Sequence, residues 1–273
     1  MKNVFDLAGK TVVVTGAAGL MGEQHVRGLT NCGATVIVSD VDLKAATSLS
    51  EKINAQHSKA VTYPEYMNVI DKPSIEDVAA RYPEVDVLIN NAAQDNKAQS
   101  ADGLNSRVFR FETMSLEVWK KSMEVCLDGS FLCSQVFGKK MIENKRGAII
   151  NVASDLAVIA PDQRIYIEEG VPSHLQKVKP VSYSVSKWGL LGLTKYLATY
   201  LAPYNIRVNS ISPGGIYNEK LPSSFVDSVT NLIPLKRMAQ LDEYAGAIVF
   251  LSSDASVYMT GHNLIMDGGR SIW

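Results

Sequence analysis

Along the chain, short apolar runs alternate with amphipathic stretches from one end to the other. Val12-Val13-Val14 and Val36-Ile37-Val38 are continuous β-branched runs, the pattern of strands buried on both faces. Further strands are predicted at 61–63, 85–90, 148–152, 206–211 and 263–266. Between them, apolar residues recur at helical spacing, which predicts helices at 20–31, 43–56, 74–81, 115–143, 182–202 and 242–253. Strands alternating with helices imply an α/β fold: a doubly wound parallel sheet of about seven strands. Two segments break the rhythm. Residues 94–111 are polar, and residues 157–180 carry Pro161, Pro172 and Pro180. Long irregular segments in a compact domain are often functional loops.

Length and composition narrow the picture without changing it. The 273 residues suit one large α/β domain, taken as 1–273. Lys and Arg number 27 against 28 Asp and Glu, so nothing calls for nucleic acid or an anionic membrane as partner. No apolar stretch approaches the roughly 18 residues of a membrane span. The first residues, Met1 to Asp6, lack the apolar core of a signal peptide. Cys32, Cys126 and Cys133 have no metal-ligand spacing and read as free thiols in a reducing cytoplasm, with no metal site.

The first strand runs directly into Thr15-Gly16-Ala17-Ala18-Gly19-Leu20-Met21-Gly22, where the first helix opens. Glycine lets a backbone turn tightly and approach a pyrophosphate, and a helix N-terminus offers free N–H groups to it. A tight strand-to-helix turn without a ligand needs glycine too. The second strand sharpens the choice. It ends at Asp40, 24 positions after Gly16. A carboxylate there accepts from adenosine ribose hydroxyls and repels a 2′-phosphate, and residues 39–43 hold no Arg or Lys to receive one. The expected cofactor is therefore NAD rather than its 2′-phosphorylated form, on a Rossmann-like sheet.

Three further motifs fall in order: Asn90-Asn91-Ala92-Ala93, Tyr183-Ser184-Val185-Ser186-Lys187, and Asn209-Ser210-Ile211-Ser212-Pro213-Gly214-Gly215. With the glycine turn, this ordered set resembles the short-chain dehydrogenase/reductase family in its compact form, over nearly the whole chain. The chemistry of the second motif is plain. Tyr and Lys at i and i+4 share a helix face. A nearby ammonium favours phenolate and lowers a tyrosine pKa by roughly 1–3 units, toward working pH.

The resemblance implies an enzyme that moves a hydride between nicotinamide and a secondary alcohol or ketone. It makes Tyr183 the acid/base and Lys187 both its modulator and the holder of the nicotinamide ribose. Ser154 matches the serine that hydrogen-bonds the substrate oxygen. By the same matching, Gly16, Gly19, Leu20, Met21 and Gly22 form the phosphate turn. Asn68 and Val69 lie beside the adenine, while Asn91, Ala92 and Ala93 line the ribose and support the sheet. Pro213, Gly214 and Ile216 follow the nicotinamide. The family forms dimers or tetramers through its central helices and C-terminal segment, so a homodimer or homotetramer through 115–143 and Arg270-Ser271-Ile272-Trp273 is expected.

Four departures stand out. Gly19 comes one place early, with Leu20 where the compact members have glycine. That spacing is typical of extended members, many of which act on nucleotide sugars, but only 86 residues follow Lys187. Cys126 replaces an Asn whose side chain stabilises a local helix distortion and whose carbonyl serves a proton relay. The carbonyl survives that change and the side-chain support does not. Asn218 replaces a Thr near the nicotinamide amide. Ser154 and Tyr183 are 29 positions apart, about twice the family interval. The extra residues, an insertion at about 157–180, either shape the substrate pocket or form a subunit contact or surface excursion.

Arg107, Arg110, Arg164, His174, Lys177 and Lys179 in the irregular segments suit an anionic substrate, such as a sugar phosphate or nucleotide sugar, if they converge. Taken singly, each reads as solvated surface charge. The insertion and the Gly19 spacing also resemble a branch associated with bacterial surface-glycan and flagellin modification. Two other classes stay open: an NAD-binding sensor without turnover, and a dehydratase or epimerase with transient redox.

Overall fold

The computed structural model describes residues 3–93 and 108–273. Seven strands form one sheet: β1 (Thr11–Thr15), β2 (Thr35–Asp40), β3 (Thr62–Tyr66), β4 (Val87–Asn90), β5 (Gly147–Val152), β6 (Ile206–Pro213) and β7 (Asn263–Met266). Their order is β3-β2-β1-β4-β5-β6-β7, and every pairing is parallel. The order reverses between β1 and β4, where such sheets open a crevice at the C-terminal ends of their strands.

Alternation along each strand sends side chains to two cores. Val12, Val14, Val36, Val38, Ile89 and Ile150 face α1 (Leu20–Asn31), α2 (Leu43–Asn54) and α8 (Ala245–Ser252). Val13, Ile37, Leu88, Ile149 and Val208 face α3 (Lys72–Arg81), α5 (Gly129–Asn144) and α6 (Val181–Leu201). Each fully buried branched side chain contributes about 1.5–3 kcal/mol. The sheet is thus a rigid base for groups carried on its C-terminal edge.

Element boundaries follow local chemistry. Helix α1 spans the predicted residues. Asp42 caps α2 by accepting from the Ala45 N–H at 3.0 Å, and Ser115 caps α4 (Leu116–Met123) from Val118 at 3.2 Å. Strand β3 runs beyond the predicted 61–63 through Pro64, which an edge strand tolerates. The single predicted helix 115–143 is α4 and α5 joined by a π-turn at Glu124–Asp128. Helix α7 (Ser223–Asn231) was not predicted, although Phe225, Val226 and Val229 carry its apolar stripe. Residues 157–180 hold short 3-10 turns at 163–166 and 173–175. Most of the polar 94–111 segment, including Arg107, lies outside the described residues. No helix among the described residues is long and apolar enough to cross a membrane.

Candidate active site

The glycine turn sits at the sheet reversal, and its glycines differ in role. Gly16 has φ +60°, and a Cβ there would lie 2.8 Å from the Ala92 Cα. A Cβ on Gly22 would lie 2.5 Å from the Gly16 carbonyl oxygen. Both keep backbones close in a way no other residue allows. Gly19 has ordinary φ (−75°) and would meet only the Gly16 oxygen, at 3.2 Å. Leu20 is 56% exposed, so its bulk in the family's glycine position points away from the packed turn. The first-turn N–H groups of Leu20, Met21 and Gly22 have no acceptor inside the helix, which leaves them for a phosphate.

Side chains from neighbouring strands brace this turn. The Asn91 amide donates to the Thr15 and Gly16 carbonyls at 2.9 and 3.0 Å, and the Thr15 hydroxyl accepts from the Asn91 and Ala92 N–H groups. Asn91 therefore supports the turn with its side chain. Asp40 ends β2 and accepts from the Ala18 N–H at 3.0 Å and the Asp42 N–H at 3.0 Å. Its carboxylate thus lies beside the glycine turn. Val69 is buried, with Asn68 partly exposed just beyond β3. The close backbone cradle, the free first-turn N–H groups and the carboxylate at the end of β2 fit a dinucleotide.

The catalytic candidates come together on β5 and α6. Ser154 follows β5 and is buried. Tyr183 lies in the first turn of α6, and Lys187 one turn later. The Lys187 ammonium is buried, donates to the Val152 carbonyl at 2.8 Å, and sits 5.8 Å from the Tyr183 ring centroid. Beneath them runs a buried polar ladder. The Asn90 amide donates to Asn151 at 2.8 Å, and the Asn151 amide donates to the Thr194 hydroxyl at 2.8 Å. Behind Tyr183 a small cavity is lined by Ala93, Cys126, Ser182, Ser186 and Lys187. The loop after β6 is fixed by Gly214, where a Cβ would lie 2.9 Å from the Asp267 Cα, and by the Ile216–Ala239 bridge.

Two departures resolve in physical terms. The distortion around Cys126 persists as the π-turn although the Asn side chain is gone. The Ser130 hydroxyl donates to the Cys126 carbonyl at 2.6 Å. That hydroxyl supplies a local support that the expectation of lost side-chain stabilisation had left out. Cys126 itself is buried beside Ala153, Ala157 and Leu190, while Cys133 lies in the other core, where burial pushes its thiol up to about 12. At Asn218, the side-chain oxygen accepts from the Lys220 N–H at 2.8 Å, leaving its amide NH₂ for a ligand.

The insertion packs against α7 and reaches the catalytic candidate Tyr183. Ile165 is buried with Val229, Ile233 and Met238, and Tyr166 lies against Phe225 with ring centroids 5.6 Å apart. Burial pushes the Tyr166 phenol up; Lys179 and Arg270 oppose that, and Asp155 and Tyr183 add to it. The Lys179 ammonium stands 3.6 Å from the Tyr183 ring centroid. Three of the other cations are engaged with carboxylates. Arg164 pairs with Asp162 at 2.7 Å with 83% of its side chain exposed, Lys177 pairs with Glu168, and Arg110 pairs with Glu112 and donates to the Ser173 carbonyl.

The C-terminal segment divides between the surface and the interior. Ile272 and Trp273 are exposed, but Arg270 turns inward and meets Asp155 at 2.9 Å, with side chains only 9% and 5% exposed. Sequence reading missed Asp155, Tyr166 and Arg270 as members of this cluster. Only the adjacency of Asp155 to Ser154 signalled it.

Comparison with known proteins places the chain in a family. Residues 10–166 match the family model described as short chain dehydrogenase, and residues 173–271 match one described as enoyl-(acyl carrier protein) reductase. An NAD-dependent glycerol dehydrogenase of Listeria innocua is 34% identical, covering 98% of this chain and 96% of its own. A D-threitol dehydrogenase of Mycolicibacterium smegmatis is 32% identical, with 98% and 95% covered. Among solved structures, a gluconate 5-dehydrogenase from Burkholderia cenocepacia in complex with NADP and tartrate superposes with a TM-score of 0.83 at 26% identity, covering 99% and 98% of the two chains. The chain belongs to the short-chain dehydrogenase/reductase family, oxidoreductases that act on alcohol and carbonyl groups with a nicotinamide cofactor.

Proposed function

We propose that the protein is an NAD(H)-dependent dehydrogenase of a polyol or sugar-type secondary alcohol, with Tyr183 as acid/base. The observation that carries this reading is the pairing of Tyr183 with the buried Lys187 ammonium on one face of α6, beside Ser154 at the end of β5. Bound nicotinamide would supply the hydride acceptor in oxidation and the donor in reduction. Tyr183 takes the proton from the alcohol oxygen or returns it to the carbonyl oxygen. Lys187, held on the Val152 carbonyl, presents a fixed positive charge to the phenol. Ser154 holds the substrate oxygen.

NAD is preferred over its 2′-phosphorylated form because the Asp40 carboxylate lies beside the glycine turn, where it repels a phosphate and accepts from ribose hydroxyls. Polyols and sugar acids are the substrate class that the relatives' names support. Because Arg110, Arg164 and Lys177 each pair with a carboxylate, phosphorylated or nucleotide-linked sugars come second. Residues 157–180 shape the substrate pocket through Tyr166 and Lys179. A deletion of 160–178 that left turnover and substrate preference unchanged would refute that role. Exposed Phe131 on α5 and Val185, Trp188, Tyr196 and Tyr200 on α6 suit a homodimer or homotetramer, which sedimentation would test. The three free thiols suit a reducing cytoplasm.

The test is formation of reduced nicotinamide, followed by absorbance, across glycerol, tetritols, sugars, sugar acids and sugar phosphates with NAD⁺ and with NADP⁺. Turnover of a polyol or sugar with NAD⁺ at least tenfold preferred supports the reading. Preference for NADP⁺ refutes the cofactor assignment. Bound NAD⁺ without any turnover would favour the sensor or transient-redox classes.

A further inference from the structure

Ser154 does not stand alone. Its hydroxyl donates to Asp155 Oδ1 at 2.9 Å, and its oxygen accepts from the Leu156 N–H at 3.2 Å. The same Leu156 N–H also reaches Asp155 Oδ1 at 2.8 Å. The second carboxylate oxygen, Oδ2, accepts from Arg270 Nη1 at 2.9 Å. Asp155 and Arg270 are almost wholly buried, and the chain between them spans 115 positions. Asp267 fixes the tail by accepting from the Gly269 N–H at 2.9 Å and the Ser271 N–H at 2.7 Å. A salt bridge this buried is costly to form unless its remaining valences are satisfied, and on the carboxylate side Ser154 and Leu156 meet them.

Hydrogen-bond inventory then fixes a direction. An ionised carboxylate only accepts, so the Ser154–Asp155 bond uses the single hydrogen that the serine owns. One lone pair on the serine oxygen takes the Leu156 N–H. What remains for the cleft is a lone pair, an acceptor. An alcohol can donate its O–H to that acceptor in the resting complex, and for turnover the same hydrogen turns to Tyr183, which takes it. A ketone oxygen only accepts, so it gains nothing from Ser154 until the serine hydrogen leaves Asp155. Charge-assisted hydrogen bonds of this kind are roughly twice as strong as neutral ones.

Resting on the dehydrogenase reading above, we propose that Asp155, held by Arg270, is a positioning residue. It keeps Ser154 as an acceptor toward the cleft and so biases substrate binding toward the alcohol over the ketone. The serine hydrogen must turn from Asp155 to meet negative charge developing on the substrate oxygen. The cost therefore falls on ketone binding and on alcohol turnover, and the bias is read as a split between KM and kcat.

Two measurements test this. Neutron diffraction from deuterium-exchanged crystals of the full chain locates the deuterium on the Ser154 oxygen. It is expected on the line to Asp155 Oδ1; a deuterium directed into the cleft overturns the proposal. The second uses Asp155→Asn and Arg270→Lys, assayed with glycerol and dihydroxyacetone, or with the alcohol–ketone pair that turns over best in the panel. Arg270 only donates, so it holds the Asn carbonyl oxygen and turns the Asn NH₂ toward Ser154, and the Leu156 N–H then relies on the serine oxygen it already reaches at 3.2 Å. The serine then accepts from Asn, and its hydrogen faces the cleft. In Asp155→Asn the KM for the ketone should fall about tenfold relative to that for the alcohol, the worth of one hydrogen bond. Arg270→Lys, which keeps the cation, should hold the wild-type ratio within about twofold. Both KM values moving together, or the lysine variant shifting the ratio as far as the asparagine one, overturns the proposal. If the wild type turns over no pair at all, the dehydrogenase reading fails, while the neutron result still decides the state of Ser154.

Discussion

The two ends of the cleft are built in different ways. The nucleotide end is made of backbone: the glycine turn, the first-turn N–H groups of α1, carbonyls held by the Asn91 amide and N–H groups held by the Thr15 hydroxyl. The proposed substrate end is made of side chains carried in from far along the chain: Ser154 and Asp155 after β5, Tyr166 and Lys179 from the insertion, and Arg270 from the tail. A backbone site tolerates almost no change at its close approaches but is indifferent to the identity of most neighbours. A side-chain site can be retuned one group at a time.

The largest effect should come from the nucleotide end. Gly22→Val forces a Cβ to within 2.5 Å of the Gly16 carbonyl oxygen. A displacement of backbone against backbone should cost about 3 kcal/mol in denaturant unfolding and weaken NADH binding, followed by fluorescence titration, by at least about a hundredfold. An unchanged affinity would mean that this glycine only packs the turn.

The same helix carries an acid-sensitive group. His25 is buried with neither ring nitrogen hydrogen-bonded among the described residues, and burial lowers it from 6.5 to about 4. Its folded pKa lies below the unfolded one, so the unfolded chain takes up the proton first. Stability from this residue is complete above pH 6.5 and falls as pH drops toward about 4, where the loss levels off. That interval corresponds to at most about 3 kcal/mol. Denaturant unfolding across it should show the slope, and His25→Leu should flatten it. At the substrate end the corresponding charges, Asp155 and Arg270, are paired with each other.

Asp40 sharpens the contrast, because the proposed selectivity of the nucleotide end rests on its side chain. Asp40→Ala should reduce the preference for NAD⁺ over NADP⁺, measured as the ratio of kcat/KM values, by about 10–100-fold. A ratio that does not move would place the discrimination elsewhere. The smallest effect belongs to Arg164. Its guanidinium is largely exposed and engaged with Asp162, whose carboxyl it holds down to about 2. Arg164→Ala should leave the substrate KM within about twofold, and a larger rise with an anionic substrate would return this residue to the pocket.

The same contrast explains what could be read from sequence. The sheet and α1 were legible because buried parallel strands leave unbroken β-branched runs and because Gly16 and Gly22 sit at fixed spacing. Tyr183 and Lys187 were legible because both lie on one helix at i and i+4. Asp155 and Arg270 carry no such local signal; their pairing depends on β5 and the tail meeting across the sheet edge. The supporting role of Ser130 at the π-turn was hidden for a similar reason. Its meaning depends on a carbonyl freed by a distortion that residue pattern does not show. The apolar stripe of α7 was present in the sequence, but it is short and begins after Pro222, so it reads as loop.

The most direct test compares Tyr183→Phe with the wild type on the best alcohol from the panel, with NADH binding measured on both. Removing one hydroxyl should lower kcat by about 10²–10⁴-fold while NADH affinity stays within a few-fold. Turnover retained near the wild-type rate would show that another group moves the proton.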